Sequence, residues 1–573
     1  MMTEPASDAA VAAPSLARRA WSAPLWAHLA ILLIGLVGVV LLTSPQGTLV
    51  ADDGSYQLQL RALHEGSWDW QASTASLDPA GTHYPIVNAD RTATGWAPIA
   101  KHPAWPWLAN AVSPLTGVEH AYDVLGVLGV LGLATAAWLL AAEHDRRWSR
   151  WAFWLAGTAP VALTAAVPWA HAAASAAAGF AVLGAVRLVR RPPSAAAVLL
   201  IVAGVAGAVL LRTEGLLLAG AVGVGLAVGG RQAGRTWRWS LGAGGAVVAL
   251  ALAVMRFEDR WIRSITTGAS STLHARTGSG IQTSGFVDAR YQGAVRSMVD
   301  SARPGMTLLL GAGVVLAAVT AGLVAAGRPR LLGLWKLAAG LSIVFLLIRV
   351  LWLSNYPISG ILAAWPIAVA GLASALPVAW RRVRVEVTIA AVYAAAVLAT
   401  QYADGGGGSW GARFFSLGTV PIVIIVAVGI ERLLQAEPRP SASLITVPRL
   451  LVVLMVVPVL AGLAVVHDVQ SGTASLYAWV DQQVEGVAVT PSAELPRMMW
   501  HQDVPWLVVD DAKGSDDLAQ VLRSLGDNGP EVVSVVVLDR DLPSASAAVA
   551  DQGTWSEVSR DRREGLTVLV LHR

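Results

Sequence analysis

The sequence predicts an α-helical protein that crosses a membrane many times and ends in a small α/β domain outside it. Three observations predict this. Hydrophobic residues make up 55% of the 573 and charged residues only 14%, where a soluble chain carries about a quarter charged. Mean hydropathy is +0.56. Apolar runs recur along the chain, each long enough to cross a ~30 Å hydrocarbon core. Beyond residue 468 the runs stop, and short β-branched stretches alternate with an amphipathic pattern.

Residues 1–20 are rich in Ala, Ser and Pro and read as a disordered cytoplasmic tail. Thirteen spans follow within a membrane domain over 21–467. They lie near 25–44, 122–142, 151–168, 170–189, 195–211, 214–230, 240–256, 305–326, 332–352, 360–380, 386–401, 415–431 and 450–467. The turns inside 151–189 and 195–230 are very short, so those pairs could be shallow or re-entrant. Arginines fall on every second connection: Arg18 and Arg19, Arg146, Arg147 and Arg150, Arg187, Arg190 and Arg191, Arg231, Arg235 and Arg238, and so on to Arg432 and Arg439. Basic connections stay inside. The N-terminus is therefore expected inside and, with an odd span count, the C-terminus outside.

The long connections are all expected outside: 45–121, 257–304 and the tail 468–573. In the first, Ser55–Glu65 and Pro103–Pro114 predict short helices, the second anchored by Trp105, Trp107 and Leu108. In the tail, Trp506–Asp510, Glu531–Asp539 and Gly565–Leu571 predict buried strands, with a helix over Ser515–Leu525.

Several function classes are disfavoured. The pI near 9.3 comes from arginines scattered over inner loops, which argues against a nucleic-acid interface. The chain has no cysteine, so disulfides and thiolate metal sites are out. No Gly-x-Gly-x-x-Gly or Walker pattern marks a nucleotide site. His64, His83, Asp78 and Asp90 share a loop without a strong ligand spacing. No cofactor is expected, with a divalent metal ion as the alternative.

The elaboration outside directs attention to Asp52-Asp53-Gly54-Ser55-Tyr56 and to Lys101-His102-Pro103. An acid pair at a membrane surface is costly unless used, and one of the two is suited to deprotonate a hydroxyl. Alone, the pair is equally consistent with a solvated turn, and Lys101 with a snorkelling lysine. Gly405–Gly408 before Trp410 and Arg413 would let backbone approach a phosphate or sugar.

Taken together, Asp52-Asp53-x-x-Tyr56, then Leu63, Gly66 and Trp68, then Lys101-x-Pro103 resemble the first outer loop of GT-C glycosyltransferases. The likeness is greatest to the branch holding lipid A aminoarabinose transferases and protein O-mannosyltransferases, where the pattern is Asp-Glu-x-x-Tyr, Gly-x-Trp and Lys-Pro-Pro. Gly407-Gly408-Ser409-Trp410-Gly411-Ala412-Arg413-Phe414-Phe415 followed by Pro421 resembles the family's late Gly-x-Arg-Tyr and Pro segment. Arg212-Thr213-Glu214-Gly215 is similar to its Arg-Pro-Glu. The Ala/Gly/Val/Arg-rich composition further suggests a GC-rich, actinobacterial source.

The resemblance implies transfer of a sugar from a polyprenyl-phosphate donor to a glycan, lipid or protein acceptor of the cell envelope, with inversion. It implies Asp52 or Asp53 as the catalytic base and Lys101, Arg413 and Arg212 as contacts to the donor phosphate. Tyr56, His102, Glu214 and Trp410 are the further substrate-binding candidates. Asp53 stands where the family has Glu, and one proline of Lys-Pro-Pro is missing, with His102 intervening between Lys101 and Pro103. Two other classes compete: a flippase for a lipid-linked sugar, which would bury ionisable groups at mid-membrane, and a non-catalytic glycan-binding scaffold.

Overall fold

The computed structural model describes residues 23–43, 47–70, 72–86, 89–267, 286–298, 304–352, 357–358, 360–400, 411, 413–437, 445–501, 504–509 and 515–573. The 1–20 tail and Trp410 lie outside them. Among the described residues, eight helices are long and apolar enough to cross a membrane: Leu25–Leu42, Ala121–Ala142, His171–Arg190, Gly215–Gln232, Trp237–Ile265, Pro329–Trp352, Arg413–Ala436 and Val447–Gln483. Three apolar helices are shorter: Ala195–Leu211, Leu309–Ala325 and Pro366–Ala375.

Two of the thirteen expected spans are interrupted, each at a proline. The expected span at 151–168 breaks into the helix Trp148–Gly157 and a buried 3-10 turn, Pro160–Ala166. The one at 360–380 breaks into Ile361–Ala364, Pro366–Ala375 and Ala379–Arg382. Proline withholds an N–H and clashes with the preceding turn, a break that hydropathy does not register. Irregular backbone at such depth survives only when packed in protein, and every residue of Pro160–Ala166 is buried.

Polar groups divide between the two ends of the bundle. At one end Arg187 and Arg191 hold Glu143 at 2.8 and 2.5 Å, Arg382 holds Glu431 at 2.7 Å and Lys336 holds Glu437 at 2.6 Å. These are the arginine-rich connections read as inner. The opposite end carries the loop helices Ala51–His64 and Ala104–Thr116 and the C-terminal domain.

That domain grows directly from the bundle, because Val447–Gln483 runs 37 residues without interruption, well past the expected end at 467. The chain also forms a small ladder, β1 (Asp90–Arg91) with β2 (Trp96–Ala97). The C-terminal sheet comprises β3 (Val487–Thr490), β4 (Trp506–Val508), β5 (Val532–Leu538), β6 (Ser556–Arg563) and β7 (Leu566–His572), ordered β4-β3-β5-β7-β6. β3 pairs in parallel with β4 and β5, while β7 is antiparallel to β5 and β6. Alternation sends Val533, Val535 and Val537 toward Leu518, Leu522 and Ala548 of the covering helices. Val536, Val568 and Val570 face Tyr477 and Val480 at the top of the long helix. The three expected strands and the helix over 515–528 are present. β3 and the mostly exposed β6 were not expected.

Candidate active site

The acid pair sits in the first turn of Ala51–His64, four residues earlier than the helix expected from Ser55. Successive helical residues point about 100° apart, so the two carboxylates have different surroundings. Asp53 is buried. Its Oδ2 accepts from the backbone N–H of Leu49 at 2.7 Å and of Val50 at 3.2 Å, and its Oδ1 accepts from Trp169 Nε1 at 2.7 Å. Burial outweighs these bonds and pushes its pKa up to about 7. Asp52 is exposed, with 59% of its side chain accessible, and Arg497 of the C-terminal domain lies 3.4 Å from its Oδ1.

Gly54 makes that approach possible. A Cβ there would fall 1.5 Å from the Arg497 carbonyl oxygen and 3.3 Å from Trp500 Cβ. Arg61, two turns further on, donates to the Trp500 carbonyl at 3.1 Å and places its guanidinium over the indole. The segment Leu495–Trp500 is thus seated on the helix that carries both aspartates.

Tyr56, one turn after Asp52, is buried and within electrostatic reach of Asp52, Arg212, Glu214 and Arg413. Burial pushes its hydroxyl up to about 12. Arg212 grips Glu214 through Nε and Nη2 at 3.1 and 2.9 Å. Burial alone would raise the Glu214 pKa; the guanidinium, aided by Lys101, overrides it and holds the carboxyl down at about 2. Arg212 therefore already carries a carboxylate, which tempers its role as a dedicated phosphate ligand. Lys101 lies within the same field, close enough to act on both Glu214 and His102.

His102 is sealed, not turned to a substrate. It is 1% exposed, with Nδ1 2.8 Å from Glu258 Oε1 and Nε2 3.2 Å from Thr213 Oγ1. Burial lowers its pKa to about 4 despite Glu258. The neutral ring donates from Nδ1 to the carboxylate and accepts from the threonine. Its backbone is left-handed, at φ 56°, a conformation that needs support from neighbours. His102 is a latch: it ties the Lys101 loop to Trp237–Ile265 and to the Arg212–Glu214 turn. Trp105, donating to the Pro168 carbonyl at 2.9 Å, ties the same loop to Trp169.

Arg413 completes the group. Its guanidinium lies 5.2 Å from the Trp169 ring centre and 5.3 Å from that of Phe414. Gly411 has φ 70° and sits where a Cβ would meet Pro160 at 2.4 Å, which lets the late loop press against the 3-10 turn. His171 was not singled out in the sequence. It is buried, its ring 5.4 Å from Trp169, and both nitrogens lack a hydrogen-bond partner among the described residues. Arg212, Arg413 and His102 all act on it.

Two clefts lie near Trp169, which lines neither but touches one residue of each. One, with about 390 Å³ of empty space, is lined by Val161, Ile361, Trp365, Phe415 and Ile422 and has His171 and Arg413 as its polar residues beside Thr and Ser hydroxyls. The other, with about 480 Å³, is lined by Asp53, Gln57, Glu119, Asp123, Gln470 and Trp500 among others. Trp169 bonds to Asp53 on one side and lies under Arg413 on the other. Among the described residues no three His, Asp or Glu side chains converge as a metal-binding set.

No family model and no curated protein matches the chain. Solved structures do match in fold. ArnT from Cupriavidus metallidurans superposes with a TM-score of 0.52 in the apo state, at 14% identity over 94% of this chain and 97% of that one. The same protein bound to undecaprenyl phosphate gives 0.50 at 14% identity, covering 95% and 97%. The oligosaccharyltransferase of Archaeoglobus fulgidus, in a complex with Zn and sulfate, gives 0.50 at 12% identity over 95% of this chain and 72% of that one.

Proposed function

We propose that this protein is a membrane glycosyltransferase that moves a sugar from a polyprenyl-phosphate donor to an envelope acceptor on the outer face, with inversion. One observation carries the reading: an apolar cleft carrying Arg413 and His171 and a separate cleft carrying carboxylates are linked by Trp169, which touches Arg413 of the first and Asp53 of the second. A polyprenyl phosphate is an apolar chain with an anionic head, the complement of the first cleft. The fold match to ArnT, solved with undecaprenyl phosphate bound, supports the same donor class.

Asp52 is assigned as the base, because it is the accessible member of the pair, whereas the Asp53 oxygens are already engaged. The acceptor hydroxyl gives its proton to Asp52 as its oxygen attacks the anomeric carbon. The bond from that carbon to the phosphate oxygen breaks, and the electron pair leaves with the polyprenyl phosphate. Arg413 and Lys101 stabilise the charge that grows there; Arg212 contributes its field while holding Glu214. Asp53 fixes the helix start and Trp169. No step calls for a nucleotide or metal cofactor.

The test is transfer from a radiolabelled polyprenyl-phosphate sugar by the purified protein in lipid nanodiscs. Asp52→Asn is expected to lower transfer by about two to four orders of magnitude, with thermal stability unchanged. Full transfer by both Asp52→Asn and Asp53→Asn would overturn the assignment.

A further inference from the structure

The acid-lined cleft has a chemical character that the transfer reaction alone does not require. Two of its side chains are buried amides whose carbonyls have no partner among the described residues: Gln57 Oε1, on a residue 8% exposed, and Gln470 Oε1, on a residue 3% exposed. The orientation of Gln470 is set, because its Nε2 donates to the Ala166 carbonyl at 3.1 Å. Gln57 stands one helical turn after Asp53 and so shares its face. An unsatisfied buried acceptor costs free energy, and a native protein keeps such groups where something else pairs with them.

Glu119 and Asp123 add carboxylates, the latter 3.4 Å from His120, and Thr43 and Thr48 add hydroxyls. Among the described lining residues there is no lysine or arginine, and the Trp500 indole forms an apolar wall beside Val40, Ala166 and Pro168. The matching ligand offers several hydrogen-bond donors together with an apolar C–H face. A polyhydroxylated sugar ring does both, since hydroxyls donate to carboxylates and amide carbonyls and the ring face packs on an aromatic. The donor phosphate finds no cation here. Of its proposed cations, Arg413 lines the other cleft and Lys101 lines neither.

We infer that this cleft is a carbohydrate subsite, bounded by Gln57, Gln470, Asp123 and Trp500, and that the acceptor is a glycan with one of its rings seated there. The inference rests on the transfer reading for the word acceptor, but binding can be measured without transfer. The source of the sugar ring, acceptor or donor, is separated below.

Saturation-transfer NMR on the full-length protein in nanodiscs would use methyl α-mannoside, methyl α-glucoside and methyl α-arabinofuranoside as probes, with ethanolamine as the lipid-amine control. At least one glycoside is expected to receive saturation, and ethanolamine none. Gln57→Leu is expected to weaken glycoside binding about tenfold, and Gln470→Leu likewise. Should either variant unfold, the contrast between probes on the unmodified protein still decides. Silence from all three glycosides, or a signal from ethanolamine alone, would overturn the subsite. In transfer kinetics the bound glycoside is expected to compete with the acceptor; competition with the polyprenyl-phosphate sugar instead would assign the ring to the donor and overturn the acceptor claim. Glycoside binding without any transfer would sink the transferase reading while leaving the subsite intact.

Discussion

The two clefts beside Trp169 are close neighbours built from opposite materials. One is walled by Val161, Ile361, Trp365 and Phe415 and carries Arg413. The other presents Asp53, Glu119, Asp123 and two amide carbonyls. A cation at the end of an apolar wall suits an anion on a hydrocarbon chain, and a rim of acceptors suits hydroxyls. The difference teaches that neighbouring clefts can offer opposite chemistry, and under the proposed transfer it would keep a greasy donor from a polar acceptor. A single indole touches both, bonded to Asp53 and lying under Arg413.

The sharpest way to break this division is from the cationic side. Arg413→Lys keeps the charge but loses the planar group held against Trp169 and Phe414, and an arginine in such a stack is not replaced by an ammonium. Transfer is expected to fall about a hundredfold, with the donor KM rising and the acceptor KM steady. Equal changes in both KM values would mean that the clefts do not divide donor from acceptor.

Gly54→Ala tests the acidic side, where the C-terminal domain contributes. The new methyl group displaces the Arg497 carbonyl and Trp500 from the helix carrying Asp52. We expect a roughly tenfold loss in kcat/KM through the acceptor, since a small misplacement of reacting groups is costly. Unchanged acceptor kinetics would show that the domain only covers the site.

The smallest effect concerns pH. The Asp53 pKa stands near 7 in the folded protein against an ordinary 3.8. A raised carboxylate pKa means that the folded state binds the proton more tightly than the unfolded chain, so this group's contribution to stability is greatest below pH 4 and declines as pH rises toward 7. Asp53→Asn is expected to flatten the slope of Tm against pH over that window. An identical slope in the variant would place the titration elsewhere.

Much of this was legible in the chain. The apolar runs, the split of arginines and the C-terminal strands are local patterns, and Asp52, Lys101 and Arg413 stand in short motifs. Trp169 and His171 were hidden at the junction of two apolar runs, where Trp-Ala-His between Pro168 and an alanine-rich helix was the only mark. Arg497 and Trp500 gave no signal, being hundreds of residues from the aspartates they touch. His102 was visible but misplaced: nothing near it in the chain announces Glu258, 156 residues away.

The sequence by itself determined that the chain enters a membrane, which segments are buried in it and where polar chemistry gathers, because hydrophobic transfer and helical periodicity act residue by residue. Only the tertiary structure decided that the neighbouring aspartates differ, one engaged by backbone and Trp169, the other open beside Arg497. It likewise decided that Arg212 is already paired and that Trp169 touches both Asp53 and Arg413. Those outcomes depend on burial and on contacts between distant segments, and a carboxylate's chemistry is set by the groups that surround it in space.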